Sequence, residues 1–506
     1  MRVALKSYLI DYTWPKLAFL VVAAFIVRAL TFGLYVQHEE RYRQADTNDY
    51  HFCALGLKAG TGMHRIDTVQ PIFWRTPGYP FYLSLFYRWY DIKTGYFSAL
   101  QEPLKASIWV QIILCSFIPL LLFFLLRLLT GSLLISWIGS WIGVFHLGFV
   151  LASCYILSDA LAQLFFIGFL YCFYKVCTLW FEPEIIEHNR YQIAAWLVSA
   201  AALLGIYTWI RPNGQFIVAL SMALLLITKG SWQFKFSKIA LFGLCFFAAI
   251  GGWYVRNYTL TNHWFFCPMS GPYLQSFSAP KIMRRVTKKP LDECLKSLLM
   301  QVSVRIQEET MRLAKEAPHL YVSKELLCKP IAMPWIINYP WYFAYEWIKE
   351  VLKTSFDLYA SQLVAMVTKT HTYDPIEEFL TEKLSLCLYT QPMPRLMRII
   401  CWSEFIFSLL LWFGLLAGLL LFILKPLLQK NASPDVLRMQ ALWIKVGIII
   451  GGMLIMTGGF GYARLRMPID PLLWLLALTW WCYSTTKASH YFKRGMYAPT
   501  IATSNS

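Results

Sequence analysis

Long apolar runs recur through this chain, and they limit what it can fold into more than any other feature. They lie near Lys16–Val36, Ala106–Leu126, Leu133–Ala152 and Ala160–Cys177, then near Ile193–Ile210, Gln215–Ile227 and Ile239–Tyr254. The last three lie near Ile399–Leu424, Ala441–Gly459 and Pro471–Tyr483. Many approach the ~20 residues that an α-helix needs to cross a bilayer core. Lipid offers the backbone no hydrogen bonds, so such runs must satisfy their own as helices. The pattern predicts an all-α polytopic membrane protein with about ten spanning helices. Composition agrees: 58% of the residues are hydrophobic and only 15% charged, against about 25% charged in a soluble domain.

The formal net charge of +18 raises nucleic acid as a partner, but no basic block, zinc-finger spacing or aromatic-basic sheet pattern accompanies it. Lys and Arg gather instead in short loops such as "TKGSWQFKFSK" and "LKPLLQKNASPDVLRMQ", as the positive-inside rule requires of cytoplasmic loops. With Met1 inside, both termini are expected to be cytoplasmic. The opposite, outer side then receives Arg41 to Pro103, the turn at Ser158-Asp159, "RPNG" from Arg211, the long segment from Arg256 to Arg395 and "GYARLRMP" from Gly461. Polar chemistry is thus concentrated on one face. The short tails point to a bacterial inner membrane, with the active site on its periplasmic side.

This topology divides the chain into an N-terminal transmembrane module (1–255) carrying a first outer loop (37–105), an outer domain (256–395), and C-terminal helices with a tail (396–506). Two stretches of the outer domain, "DECLKSLLMQVSVRIQEETMRLAKEAP" and "PWYFAYEWIKEVLKTSFDLYASQLVAMV", place apolar residues at helical spacing with charges between them. They read as amphipathic helices, partly lying on the membrane.

The 12 cysteines are scattered, and neither CxxC nor HExxH occurs, so neither metal nor redox chemistry is signalled. A divalent metal has no supporting ligand spacing, and a lone His51 fits an interfacial position better than a metal site. Cys294 and Cys328 fall in the same outer segment, where pairing would depend on an oxidising compartment.

The first outer loop holds "ADTNDYHFCALGLKAGTG" and later "FWRTPGYPFYLSLFY". In the second, proline fixes the backbone and glycine frees it, making a rigid turn beside Arg75. Further polar motifs close the outer ends of later runs: "LSDALAQLF" at Leu157, "IRPNG" at Ile210, "WYVRNY" at Trp253 and "RLRMPIDP" at Arg464. Asp159 fits a helix cap or a supporting acid, and Arg211 and Arg256 fit lipid-headgroup anchors or anion ligands.

This ordered set resembles the GT-C membrane glycosyltransferases, most of all the protein-mannosyltransferase and aminoarabinose-transferase-like group (glycosyltransferase family thirty-nine in type). The resemblance carries an Asp with a Tyr four residues on, a Gly-x-Gly, and Arg-x-Pro-Gly-Tyr-Pro. It implies a GT-C fold and a monosaccharide donor attached to a polyprenyl phosphate, transferred with inversion to a hydroxyl of a lipid, glycan or protein outside the cytoplasm. Asp46 maps onto the catalytic base, with Asp49 as a local rival and Asp159 as supporting acid. Thr47 departs from the acidic residue that many relatives carry there. A proton acceptor and cations for the departing phosphate are what this chemistry needs, and arginine can grip phosphate in bidentate fashion. Arg75, Arg211, Arg256, Arg464 and Arg466 are the candidates, foremost Arg75, Arg256 and Arg466; Tyr50 and Tyr79 would shape the site. Three rivals are a transporter or flippase of a lipid-linked sugar, an oligosaccharide polymerase or ligase using a diphosphate donor, and a catalytically silent relative whose outer domain binds partners, against which the intact Asp46 and Arg75 motifs argue.

Overall fold

The computed structural model describes residues 14–44, 46–64, 70–87, 101–179, 190–227, 231–356, 358–360, 395–424, 434–457 and 463–485. Both termini, and the part of the outer segment between 361 and 394, therefore lie outside the described residues. The described residues are helical, joined by turns and one isolated bridge between His64 and Pro71.

The first helix, α1 (Trp14–Thr31), is prolonged by a single π turn, Phe32–Val36. In the loop that follows, a single helical turn, Glu39–Tyr42, precedes two short helices, α2 (Thr47–Lys58) and α3 (Gly78–Ser84). Then come α4 (Gln101–Cys115), α5 (Ile118–Thr130), α6 (Leu133–Phe145), α7 (Leu147–Cys154), α8 (Asp159–Leu179), α9 (Arg190–Ile210), α10 (Gly214–Ile227) and α11 (Trp232–Thr261). Local chemistry sets several ends. Ser132 and Ser231 cap α6 and α11, their hydroxyls accepting from Ile135 N and Phe234 N. Gly131 and Asn262, both left-handed, close α5 and α11.

The segment after α11 folds as α12 (Ala279–Thr287), α13 (Leu291–Glu316), α14 (Lys324–Asn338) and α15 (Pro340–Phe356). It has a small core of its own at Ala279, Leu298 and Ala332. The last described helices are α16 (Arg395–Gly418), α17 (Pro434–Thr457) and α18 (Asp470–Thr485). Cys294 and Cys328 are both buried free thiols.

Helices stand at every apolar run, but the count of ten crossings is not confirmed. Among the described residues, six helices are long and apolar enough to span, and α6 with α7, bent by 44° at His146, makes a seventh if counted as one span. Gly214–Ile227 and Met439–Ile455 are apolar but shorter. The chain is an all-helical, multi-pass membrane protein. Its largest core runs between these helices, with α8 packed on α9 and α9 on α11. Arg28, the main charge within an apolar run, does not snorkel: it is fully buried and donates to Ala24 O and Gly143 O.

Candidate active site

The site is built at helix ends. Asp46 stands immediately before α2, Asp159 opens α8, Arg211 follows α9, and Arg464 lies in a single helical turn, Ala463–Arg466, just before α18. Arg75 comes from the bend before α3. Short polar contacts knit these segments together. Thr47 Oγ1 donates to Ile156 O, and Tyr50 Oη lies 3.1 Å from Ser158 Oγ, so α2 is fastened to the entrance of α8. Thr76 Oγ1 donates to Ile210 O at 2.8 Å, fixing the Arg75 stretch to the end of α9. Gly78 shows why the turn contains glycine: a Cβ there would come within 2.6 Å of Trp209 O. The Gly-x-Gly of the first loop likewise has both glycines, Gly60 and Gly62, at positive φ.

Together these contacts line up six charged side chains in one unbroken series. Asp49 Oδ2 accepts from Arg75 Nη2 at 2.8 Å, and the same nitrogen donates to Asp46 Oδ1 at 2.6 Å. The other oxygen of Asp46 accepts from Arg464 Nη2 at 2.9 Å, and Arg464 Nε reaches Asp159 Oδ2 at 2.9 Å. Asp159 closes the series through an ion pair with Arg211. Three aspartates and three arginines alternate, so the formal charge cancels. Trp74 Nε1 adds a bond to Asp49 Oδ2, and the Arg75 guanidinium lies over the Tyr50 ring. Tyr79 packs edge-on to Tyr50 and donates to Gln111 Oε1. The amide of Gln111 caps the carbonyls of Ala152, Ser153 and Tyr155.

Burial tends to raise the pKa of Asp46, but Arg75 and Arg464 outweigh it and hold the carboxyl at about 2. Asp46 is therefore a firm anion, with 26% of its side chain open to solvent. For Arg464, burial acts downward while Asp159 and Asp46 act upward, and the upward pull prevails. His51, fully buried and 2.8 Å from Tyr87 Oη, is pushed down to about 4 by burial and by Arg43. It sits behind the network, packed edge-on to Tyr87. Among the described residues, no group of three or more His, Cys, Asp or Glu side chains could hold a metal ion.

Of the residues expected from the sequence, Asp46, Asp49, Asp159, Arg75, Arg211 and Arg464 thus converge, with Tyr50 and Tyr79 packed behind them. Arg256 and Arg466 stand outside this series. Arg256 donates to Ile72 O, Met63 O and Asn257 Oδ1 and lies over the Trp253 ring, bracing the first loop against α11. Arg466 turns away from Arg464 into a second, buried centre with Asp470 and Tyr359. Trp74, Ser158 and Gln111 join the site beyond the expected residues: Trp74 adjoins Arg75 and Ser158 adjoins Asp159 in sequence, whereas Gln111 stands in no polar motif.

No protein-family model matches the chain, and no curated protein matches it in sequence. Among solved structures it is similar to the oligosaccharyltransferase AglB of Archaeoglobus fulgidus, bound to an inhibitory peptide and a dolichol-phosphate, at 12% identity and a TM-score of 0.48. That match covers 92% of this chain and 51% of the other, so the chain spans about half the length of that protein. It is also similar to ArnT of Cupriavidus metallidurans in the apo state, at 11% identity and a TM-score of 0.35, over 91% of this chain and 77% of the other.

Proposed function

We propose that this chain is a GT-C-type membrane glycosyltransferase that moves a monosaccharide from a polyprenyl-phosphate donor to an acceptor hydroxyl on the outer face of the membrane. The observation that carries this reading is the placement of Asp46, one carboxylate held between two arginines from distant segments. The motif resemblance described above supplies the donor class and the stereochemical course.

Asp46 takes the acceptor's hydroxyl proton as the acceptor oxygen bonds to the anomeric carbon. The bond from that carbon to the phosphate oxygen breaks, and its electron pair leaves with the polyprenyl phosphate. One negative charge therefore disappears from Asp46 while one grows on the phosphate. Arg75 and Arg464 serve both ends of that transfer, because a guanidinium has several N–H groups to share. Cations already in place for the developing charge need no reorganisation when it appears.

A carboxylate held at about pKa 2 is too weak a base for this task, since an effective one titrates nearer the working pH. The donor resolves the conflict. Its phosphate competes for the N–H groups of Arg464 and Arg75, loosening their hold on Asp46 and raising its affinity for a proton. The base becomes competent when the donor is bound, and the donor-free site stays quiet.

The test uses purified protein in lipid with labelled polyprenyl-phosphate sugars and membrane extract as acceptor source, comparing the wild type with Asp46→Asn. Transfer and carrier release in the wild type, with transfer lost but donor binding retained in the variant, support the reading. Equal transfer by both proteins removes Asp46 from the role of base. Donor binding without any transfer by the wild type favours a carrier of lipid-linked sugars, and release of a diphosphate carrier would change the donor class.

A further inference from the structure

A second charged centre shares the turn Ala463–Arg466 with Arg464 and takes no part in the transfer chemistry proposed above. Arg466 Nε donates to Asp470 Oδ1 at 2.8 Å, while its Nη1 donates to the carbonyls of Thr354, at 3.1 Å, and Ser355. These carbonyls end α15, and a cation suits a helix C-terminus. Asp470 Oδ2 accepts from Tyr359 Oη at 2.7 Å and lies 3.5 Å from His146 Nε2 at the α6–α7 break. Glu404 of α16 accepts from both Tyr359 N and Ala360 N at 2.7 Å. Trp412 Nε1 adds a bond to Ser355 O. Gly148 lets the Tyr359 ring in: a Cβ there would lie 2.6 Å from it.

The centre therefore ties three elements to the turn Ala463–Arg466: the end of α15, the start of α18 and the middle of α16. That turn also carries Arg464. Two residues apart on a tight turn, Arg464 and Arg466 point to different centres, yet share one piece of backbone. Whatever fixes the Arg466 side fixes the reach of Arg464.

We propose that Arg466, Asp470, Tyr359 and Glu404 are positioning residues for Arg464: they clamp its turn against the end of α15 and so hold its guanidinium between Asp46 and Asp159. Their roles in catalysis rest on the function proposed above, whereas the clamp itself is a geometric claim with its own test. Its consequence is that movement of the outer helices reaches the Asp46 carboxylate through a single turn of chain.

Carbodiimide labelling of Asp46, read by mass spectrometry at pH 5 in lipid without donor, tests the clamp, because the reagent modifies the protonated carboxyl. Losing the Arg464 pair raises the protonated fraction, by on the order of tenfold for each pKa unit regained. Arg464→Ala should therefore raise labelling, and Tyr359→Phe and Asp470→Asn should raise it in the same direction. The deciding measurement repeats both substitutions on the Arg464→Ala background, where a positioning effect has nothing left to act through and labelling should not rise further. Equal increments on both backgrounds, or no increment in either variant while Arg464→Ala raises labelling, overturn the proposal. Polyprenyl phosphate added to the wild type then tests the donor reading separately: raised labelling supports it, and an unchanged level counts against the donor while leaving the clamp as measured.

Discussion

Two charged centres meet at one turn of this protein, Ala463–Arg466, and are built on opposite plans. The Asp46 centre is made of side chains paired with side chains, drawn from five separate segments and partly open to solvent. In the Asp470 centre Arg466 and Asp470 are buried, and the charges are tied to backbone groups: Arg466 to two carbonyls, Glu404 to two amides. A carboxylate–guanidinium pair can exchange partners when a competing anion arrives. A guanidinium bound to helix-end carbonyls, with its counter-ion 1% exposed, has no such alternative. The first plan suits a site that must rearrange around a charged substrate, and the second suits a fixed point.

The largest expected effect breaks the first centre. Asp46→Asn should lower transfer by roughly 10²–10⁴-fold, the usual worth of a positioned general base, while donor binding persists. A drop of less than tenfold would mean that the carboxylate is structural, as in the second centre. Next comes the contrast between neighbours. Arg464→Lys should weaken donor binding and turnover, because lysine lacks the planar fork, but leave the melting temperature near the wild type's. Arg466→Met should do the reverse: it leaves Asp470 buried without its cation, which costs about 3–5 kcal/mol. Thermal unfolding and donor titration on both variants decide the matter, and matching profiles would erase the distinction between the centres.

His51 gives a prediction of intermediate size, behind the first centre. Its folded pKa of about 4 lies below the ordinary 6.5, so the folded state binds the proton more weakly than the unfolded chain. Stability is complete above pH 6.5 and declines as pH falls toward 4, by up to roughly 3 kcal/mol at one kcal-scale step per unit. His51→Gln should flatten that slope, seen as a melting temperature less sensitive to pH between 6.5 and 4. An unchanged slope would place the titrating group elsewhere.

How much of this was legible beforehand differs between the centres for a physical reason. The helices follow from apolar length alone, and every member of the Asp46 series stands in a polar motif of the first loop or at a later span end, so the sequence could gather them on one face. It could not pair them. Arg464 and Arg466 share a motif, and only the backbone of the turn decides that Arg464 meets Asp46 while Arg466 faces away; the sequence reading favoured Arg466. Tyr359 and Glu404 carried no signal, because their contacts run through backbone amides and a partner 111 residues distant. The bend at His146 was equally hidden, since no proline marks it.

The smallest effect sharpens the comparison most. Asp46 titrates at about 2 in the folded chain against an ordinary 3.8. The folded state therefore holds that proton less tightly than the unfolded chain, and the pair's contribution is present above pH 3.8 and lost as pH falls toward 2. Because a quarter of the side chain meets solvent, screening should reduce that contribution to about 1 kcal/mol or less. Asp46→Asn should thus scarcely alter the melting temperature at pH 7, even though it removes one of three aspartates and leaves Arg75 and Arg464 to their other partners. A variant inactive in transfer yet as stable as the wild type would show that this ion-pair series serves the reaction and not the fold. A loss of several kcal/mol at neutral pH would instead make the Asp46 centre a second clamp, with the exchange of partners at the heart of the proposed mechanism no longer open to it.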